Sequence, residues 1–402
     1  MSFFIATNSR LDSEADIKYI NDLAGTASLA CKDVATDGTE IWFPDALKFY
    51  AFSFMRDTLF TIQARPDLIS VAQLTAYMNW YVPLITSGNG YQVPDHVTAA
   101  KVASYNTNGA SRSVLDNQPA FINIAYELYL KGDLAWYATN KALLKNVIVT
   151  GLPYSNNAVF IPDVAIGQLG YQGWGFMDTV FTSGYTLFAN CMTYQALVQL
   201  SIMSAANGDT ADATDYTNRA ALLKATVNAN LFDYTFGMYK TASIKCSGQW
   251  DVWGSAYAVH VGLTTPAMAK QISQKLIAKK STWYNNGGIR HVMSDNEFNP
   301  GVAIWETYLG TDGIVTSVAT AVGQRNAYNR YQNGAHWYTP CFWVWKVIDI
   351  EDHVLSAQMR KEAFAKMRTE GANAPYEWFN VNENDVQRYV ASTLCNAYYL
   401  VR

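Results

Sequence analysis

The chain has 402 residues, half of them hydrophobic, which is enough to bury a large core and still within reach of one large domain. Charged residues are only 15% of the total, the formal net charge is −4, and no basic cluster is placed to track a phosphate backbone, which argues against a nucleic-acid partner. No uninterrupted apolar stretch is long enough to span a bilayer, which argues against a membrane.

The first sixteen residues, MSFFIATNSRLDSEAD, lack a basic region, a long apolar run and a small-residue cleavage site. They predict no secretory signal and a cytoplasmic location. The five cysteines show neither CxxC pairs nor Cys/His ligand spacing, so no metal site, cofactor or disulfide framework is expected. Aromatic residues are abundant, with 12 Trp, 26 Tyr and 18 Phe. Flat rings stack on the apolar C–H faces of sugar rings while polar neighbours bind the hydroxyls, so this composition suits a carbohydrate cleft as well as a large core.

Helical periodicity starts at Ser13, a predicted N-cap, with Ile17, Ile20, Leu23, Ala24 and Ala27 on one stripe ending near Lys32. Next comes FMRDTLFTIQA, residues 54–64. Here Arg56 and Asp57 stand among Phe52, Phe54, Met55, Leu59 and Phe60, so the charged pair must be satisfied internally or face a cleft. Residues 66–84 read as a helix and 86–95 as a rim loop. At Asp116 a carboxylate precedes the amphipathic stretch to Gly132; it is either a helix N-cap or a group facing the substrate, and the two roles are compatible. A helix over 133–149 runs back against it.

Residues 171–200 carry the most distinctive chemistry. Tyr171, Trp174 and Phe176 surround Asp178, and a carboxyl among rings is poorly solvated as an anion. Its pKa should rise toward the range of a general acid. Helices follow at 187–203 and 211–231, then a hairpin-like excursion at 232–241. Trp250, Asp251 and Trp253 open a helix rich in small residues; the tryptophans are candidate stacking platforms, and Asp251 reads as a cap before a hydroxyl ligand. Helices are expected over 266–280 and 313–325. Late in the chain, His336 and Trp337 sit in YQNGAHWYTPCFWVW, with His336 read as a ligand for a sugar hydroxyl before a catalytic base. Glu377 lies between Tyr376 and Trp378, with Glu383 and Asp385 as nearby substitutes, ahead of a closing helix.

Roughly a dozen helices, joined alternately by short links and long loops with a recurrence of about 55–60 residues, predict an all-α chain. The predicted architecture is a single (α/α)6 toroid over residues 1–402, with the marked residues at one end.

These strings resemble the six-hairpin glycosidases. Met177-Asp178 with Ala189-Asn190 and Tyr194–Leu197 is similar to the acid-bearing segment of the amylo-α-1,6-glucosidase part of glycogen-debranching enzymes. The 54–64 stretch is similar to their F-G-R-D-T and to the W-x-R-D-S of glucoamylases, with Met55 where that family has glycine. The resemblance implies an inverting, exo-acting glycoside hydrolase working on a glucose-like terminal residue of an oligosaccharide or glycoside. It implies Asp178 as general acid, Glu377 as base, and Arg56, Asp57, Asp116, Trp174, Trp250, Trp253, His336 and Trp337 as substrate ligands. The alternatives are a rhamnosidase, an invertase, an unsaturated uronyl hydrolase, a sugar 2-epimerase, or a non-catalytic carbohydrate-binding relic.

Overall fold

The computed structural model describes residues 12–48, 50–105, 112–151, 172–174, 185–243, 248–293, 308–309, 315–316, 334–370, 375–380, 382, 386–388 and 394–398. Its helices are α1 (Glu14–Ala30), α2 (Met55–Ala64), α3 (Val71–Tyr81), α4 (Asn117–Leu130), α5 (Leu134–Val149), α6 (Leu187–Ala206) and α7 (Thr210–Leu231). They continue with α8 (Val252–His260), α9 (Pro266–Ala278), α10 (Lys280–Trp283), α11 (Cys341–Ile348), α12 (His353–Glu370) and a last short helix, α13, over 394–398.

Local chemistry explains most of the starts. Ser13 accepts a hydrogen bond from the amide of Asp16, and Ser70 with Gln73 forms a reciprocal capping box at α3. Thr265 caps α9, whose first residue is Pro266, a residue with no amide hydrogen to lose there. The single helix expected over 66–84 is therefore three pieces, a 3₁₀ turn at Pro66–Leu68, α3 itself, and a second turn at Val82–Leu84 that contains Pro83.

Two kinds of helix alternate. Helices α2, α4, α6, α8 and α11 are buried almost all round; in α11 every residue but Lys346 is buried. By contrast α7 buries one stripe, Ala213, Tyr216, Ala220, Leu223, Val227 and Leu231, at the three-and-four spacing of a surface helix. The buried helices pack in succession, α2 on α4, α4 on α6, α6 on α8 and α8 on α11. The striped ones lie outside: α3 and α5 on α4, α7 on α6, α9 on α8 and α11, and α12 on α11 and α1. In the middle, Trp343 of α11 meets Phe60, Phe188 and Tyr257 with ring centroids 5.7, 5.7 and 4.7 Å away. Tyr398 of α13 packs on Phe342.

The starts of the buried helices meet at one end. Arg56 of α2 reaches Asp116 before α4, Leu115 packs on Ala189 of α6, and Trp253 of α8 touches Trp337 before α11. Between α6 and α8 the approach depends on Gly254, where an added Cβ would lie 2.5 Å from Leu187 Cδ2.

The links depart from the expected picture of helices joined by loops. At Phe232–Asp233 and Met238–Tyr239 the expected hairpin is present, but other links pair as well. Phe52–Phe54, His96–Thr98 and Ala103–Ser104 form a three-stranded antiparallel sheet. A five-stranded antiparallel sheet runs in the order Tyr284–Asn285, Gly288–Ile289, His336–Trp337, Tyr376–Phe379, Val386–Arg388. The helix expected from 313 is corrected at Val315–Thr316, a strand paired with Tyr308–Leu309. The closing helix is limited to 394–398 in the described residues, because Val386–Arg388 is strand. Strands of two to four residues are too short to show alternation in a sequence.

Candidate active site

The Phe52–Phe54 strand runs straight into α2, with Phe54 extended at the N-cap position and no side chain bonding the first amides. That places Arg56 and Asp57 in the opening turn. Arg56 Nη1 lies 3.3 Å from Asp116 Oδ1 and 3.6 Å from Asp95 Oδ1, and Arg56 Nε lies 4.0 Å from Asp57 Oδ2. One guanidinium thus serves three buried carboxylates. Asp95 is fixed by its amide, which donates to the Ser104 carbonyl, and Asn117 Nδ2 donates to the neighbouring Pro94 carbonyl.

Asp116 occupies the N-cap position of α4 but makes no side-chain cap bond; it turns to Arg56 instead. It is fully buried, and among the described residues its Oδ2 has no hydrogen-bond partner. Burial pushes its carboxyl up to about 6, with Arg56 opposing and Asp95 reinforcing the rise. Burial acts the same way on Asp95, but the hydrogen bond from His96 and the charge of Arg56 outweigh it and hold Asp95 below the usual carboxylate range. At pH 7 the cluster therefore combines ionised and readily protonated carboxyls, the equipment for gripping hydroxyls that donate and accept in turn.

Because Asp116 has a folded-state pKa above its unfolded value, the fold favours its neutral form. This contribution is whole below about pH 4 and is lost as pH rises through about 6. Asp116→Asn removes it. The stability of that variant relative to the parent should rise by about 2 kcal/mol between pH 4 and 7 in urea unfolding. A difference that does not change with pH contradicts the protonation assigned to this carboxyl.

A second group lies at the start of α8 and on the five-stranded sheet. Asp251 is the cap expected for it, Oδ1 accepting from the Gly254 amide at 2.7 Å. The same oxygen lies 3.5 Å from His291 Nε2, and the His291 ring stacks on Trp253 with centroids 4.4 Å apart. Trp253 is fully buried and meets Trp337 edge-on at 5.3 Å. Trp253 is therefore packed into the core, with one of its faces on His291. Trp250 is half-buried and one of its faces lies on Phe236, centroids 3.5 Å apart.

His336 stands opposite Phe379 across the ladder and stacks on it. Burial, with the nearby charge of Arg290, lowers its pKa to about 3, so the imidazole is neutral and a poor proton acceptor at neutral pH. That favours a hydrogen-bonding role over a base. Glu377 lies on the neighbouring strand, also buried. The pairing with the last strand slips there, Tyr376 facing Arg388 while Trp378 faces Gln387, the signature of a bulge at Glu377. A bulge re-aims the side chain of its extra residue, which strict alternation would not predict.

Asp178, Glu383 and Asp385 lie outside the described residues, and of Trp174 only the backbone is described. Gln172–Trp174 pairs in parallel with Arg112–Val114, Val114 opposite Trp174. The chain leading to Asp178 thus runs beside the chain leading to Asp116. Asp95 and His96 were not singled out from the sequence; residues 86–95 read as a rim loop, and the strand pairing of His96–Thr98 with Phe52–Phe54 brings Asp95 to Arg56. Among the described residues no group of three or more His, Cys, Asp or Glu side chains is arranged to hold a metal ion.

No family model matches the sequence, and no curated protein matches it. Solved structures do. A rhamnosidase from Klebsiella oxytoca with rhamnose bound superposes with a TM-score of 0.61 at 12% identity, over 98% of this chain and 64% of that one. A GH78 family rhamnosidase of Bacillus sp. GL1 gives 0.62 at 14% identity, over 96% and 35%. A GH63 mannosylglycerate hydrolase from Thermus thermophilus in complex with glucose gives 0.58 at 12% identity, over 95% and 100%. The chain shares its fold with these glycosidases. It spans less than two thirds of the two rhamnosidases, and identities this low speak for the fold alone.

Proposed function

We propose that the chain is a glycoside hydrolase built as an (α/α)6 toroid, acting on the terminal glucose-like residue of an oligosaccharide or glycoside with inversion. The observation that carries this reading is the buried Arg56 cluster at the end where the helix starts meet, whose Asp116 has one carboxyl oxygen without a partner among the described residues. An arginine shared by three carboxylates suits the hydroxyl pattern of one sugar ring. Asp178 is the general acid, donating to the leaving oxygen, and Glu377 is the base that draws a proton from water on the opposite face. An inverting pair needs about 6.5–9.5 Å between the carboxyls, room for that water. Trp174 and Trp337 shape the sugar site, and His336 lends a hydroxyl contact.

A rhamnosidase is the second reading, favoured by the likeness to two rhamnosidases in fold. One experiment separates the two. The purified chain is offered α- and β-linked glucosides, rhamnosides, sucrose and uronides, and products are followed by ¹H NMR before mutarotation. Glucose of opposite anomeric form to the substrate bears out the first reading, and free rhamnose the second. An isomerised sugar, or no product from any substrate, overturns both.

A further inference from the structure

Asp95 and His96 lie outside every motif that carries the family resemblance. In the three-stranded sheet Phe54 stands opposite His96, and Phe52 lies two residues back from Phe54. Opposed residues share a face of a sheet, as do residues two apart. Phe52, Phe54 and His96 therefore form one face, while Ser53 points the other way into Tyr77 and Tyr81. The imidazole packs on both phenyl rings, centroids 4.8 and 5.1 Å apart. Arg56 flanks the same floor, its Cζ 6.0 Å from the Phe54 centroid.

The two oxygens of Asp95 are divided between these neighbours. Oδ1 faces Arg56 Nη1 at 3.6 Å, and Oδ2 accepts from His96 Nδ1 at 3.0 Å. An ionised carboxylate only accepts, so Nδ1 carries the proton and Nε2 is left to act outward. Among the described residues Asp95 is the one hydrogen-bond partner of the His96 ring, whose side chain keeps 21% of its surface exposed.

We propose that His96 is a specificity-determining residue: Nε2 binds a hydroxyl of the same sugar that Arg56 grips, Phe54 lies under the ring, and Asp95 positions both. The inference rests on the glycosidase reading. Because one carboxylate orients both side chains, the two contacts are held at a fixed spacing, as neighbouring hydroxyls on a pyranose require. An imidazole nitrogen facing a hydroxyl can accept from it or donate to it, and the hydroxyl oxygen remains available to a second partner.

The test is calorimetric titration of glucose and its monodeoxy analogues into the full chain and into the His96→Ala and His96→Gln variants. One analogue should bind the parent roughly tenfold more weakly than glucose, the effect of one lost hydrogen bond, yet match glucose in His96→Ala. His96→Gln, which keeps a polar tip, should fall between and guards against a folding defect in the alanine variant. In long-range ¹H–¹⁵N spectra of the parent, glucose should shift the His96 Nε2 signal. Glucose binding that leaves this signal and the analogue ranking untouched overturns the proposal alone. A parent that neither binds glucose nor hydrolyses any glycoside overturns the glycosidase reading, and this proposal with it.

Discussion

With Asp178 as the proposed general acid, Asp178→Asn should lower turnover by about 10²–10⁴-fold, the usual contribution of such a group, while binding of the intact substrate changes little. Asparagine has the size and much of the hydrogen-bonding capacity of the protonated acid, but no proton to release onto the departing oxygen. The loss should depend on the leaving group. A nitrophenyl glycoside departs as a stable anion and needs little protonation, so the variant should cleave it at a rate much nearer the parent's. An alkyl glycoside should show the full defect. Near-full turnover on both substrates removes Asp178 from the mechanism; an equal loss on both says that it holds the substrate and does not protonate it.

Arg56→Ala has the second large effect, and it is read in stability. The guanidinium is the cation shared by Asp57, Asp95 and Asp116, and the last two are almost wholly buried. Removing one member of a buried charge cluster typically costs about 3–5 kcal/mol, because the carboxylates left behind stay out of water with the attraction of the guanidinium gone. The cost should shrink as pH falls from 8 to 5 and the remaining carboxyls take up protons. Arg56→Lys should recover only part of the loss. A single ammonium cannot reproduce a fork that directs Nη1 to two carboxylates and Nε toward a third. Urea unfolding of the three proteins at several pH values measures all of this, and a loss under about 1 kcal/mol, the scale of an exposed ion pair, would mean that water reaches the cluster.

What could be read in the sequence depended on the range of the signal. The capping of α1, Asp251 before α8 and the hairpin at 232–239 were legible because each is a local pattern of side chain and turn. Arg56 and Asp57 stood out because charged residues among rings need partners, and Asp116 because it precedes an amphipathic helix; in the structure Arg56 lies against both carboxylates. Asp95 and His96 were not legible. Their place beside Arg56 is set by a three-residue ladder between segments about 40 residues apart, with no periodicity to betray it. The bulge at Glu377 was hidden for the same reason: it is a property of the pairing between two strands. The partner of Trp253 was hidden in the same way, since a tryptophan at a helix start serves a core as readily as a sugar site, and nothing local in the sequence places His291 on its face.

The shared direction of α2, α4, α6, α8 and α11 also sets the electrical character of their common end. Each helix carries the equivalent of about half a positive elementary charge at its N-terminus, and five of them point the same way. The backbone alone therefore gives that end a positive potential, which on the glycosidase reading proposed above is unfavourable to a sugar ring that gathers positive charge as its glycosidic bond breaks. Asp57 in the first turn of α2, Asp116 before α4 and Asp251 before α8 stand where helix ends favour anions. The surplus of acids over Arg56 is thus a counterweight to a field made by the fold itself, and neutralising them would turn that end toward positive potential.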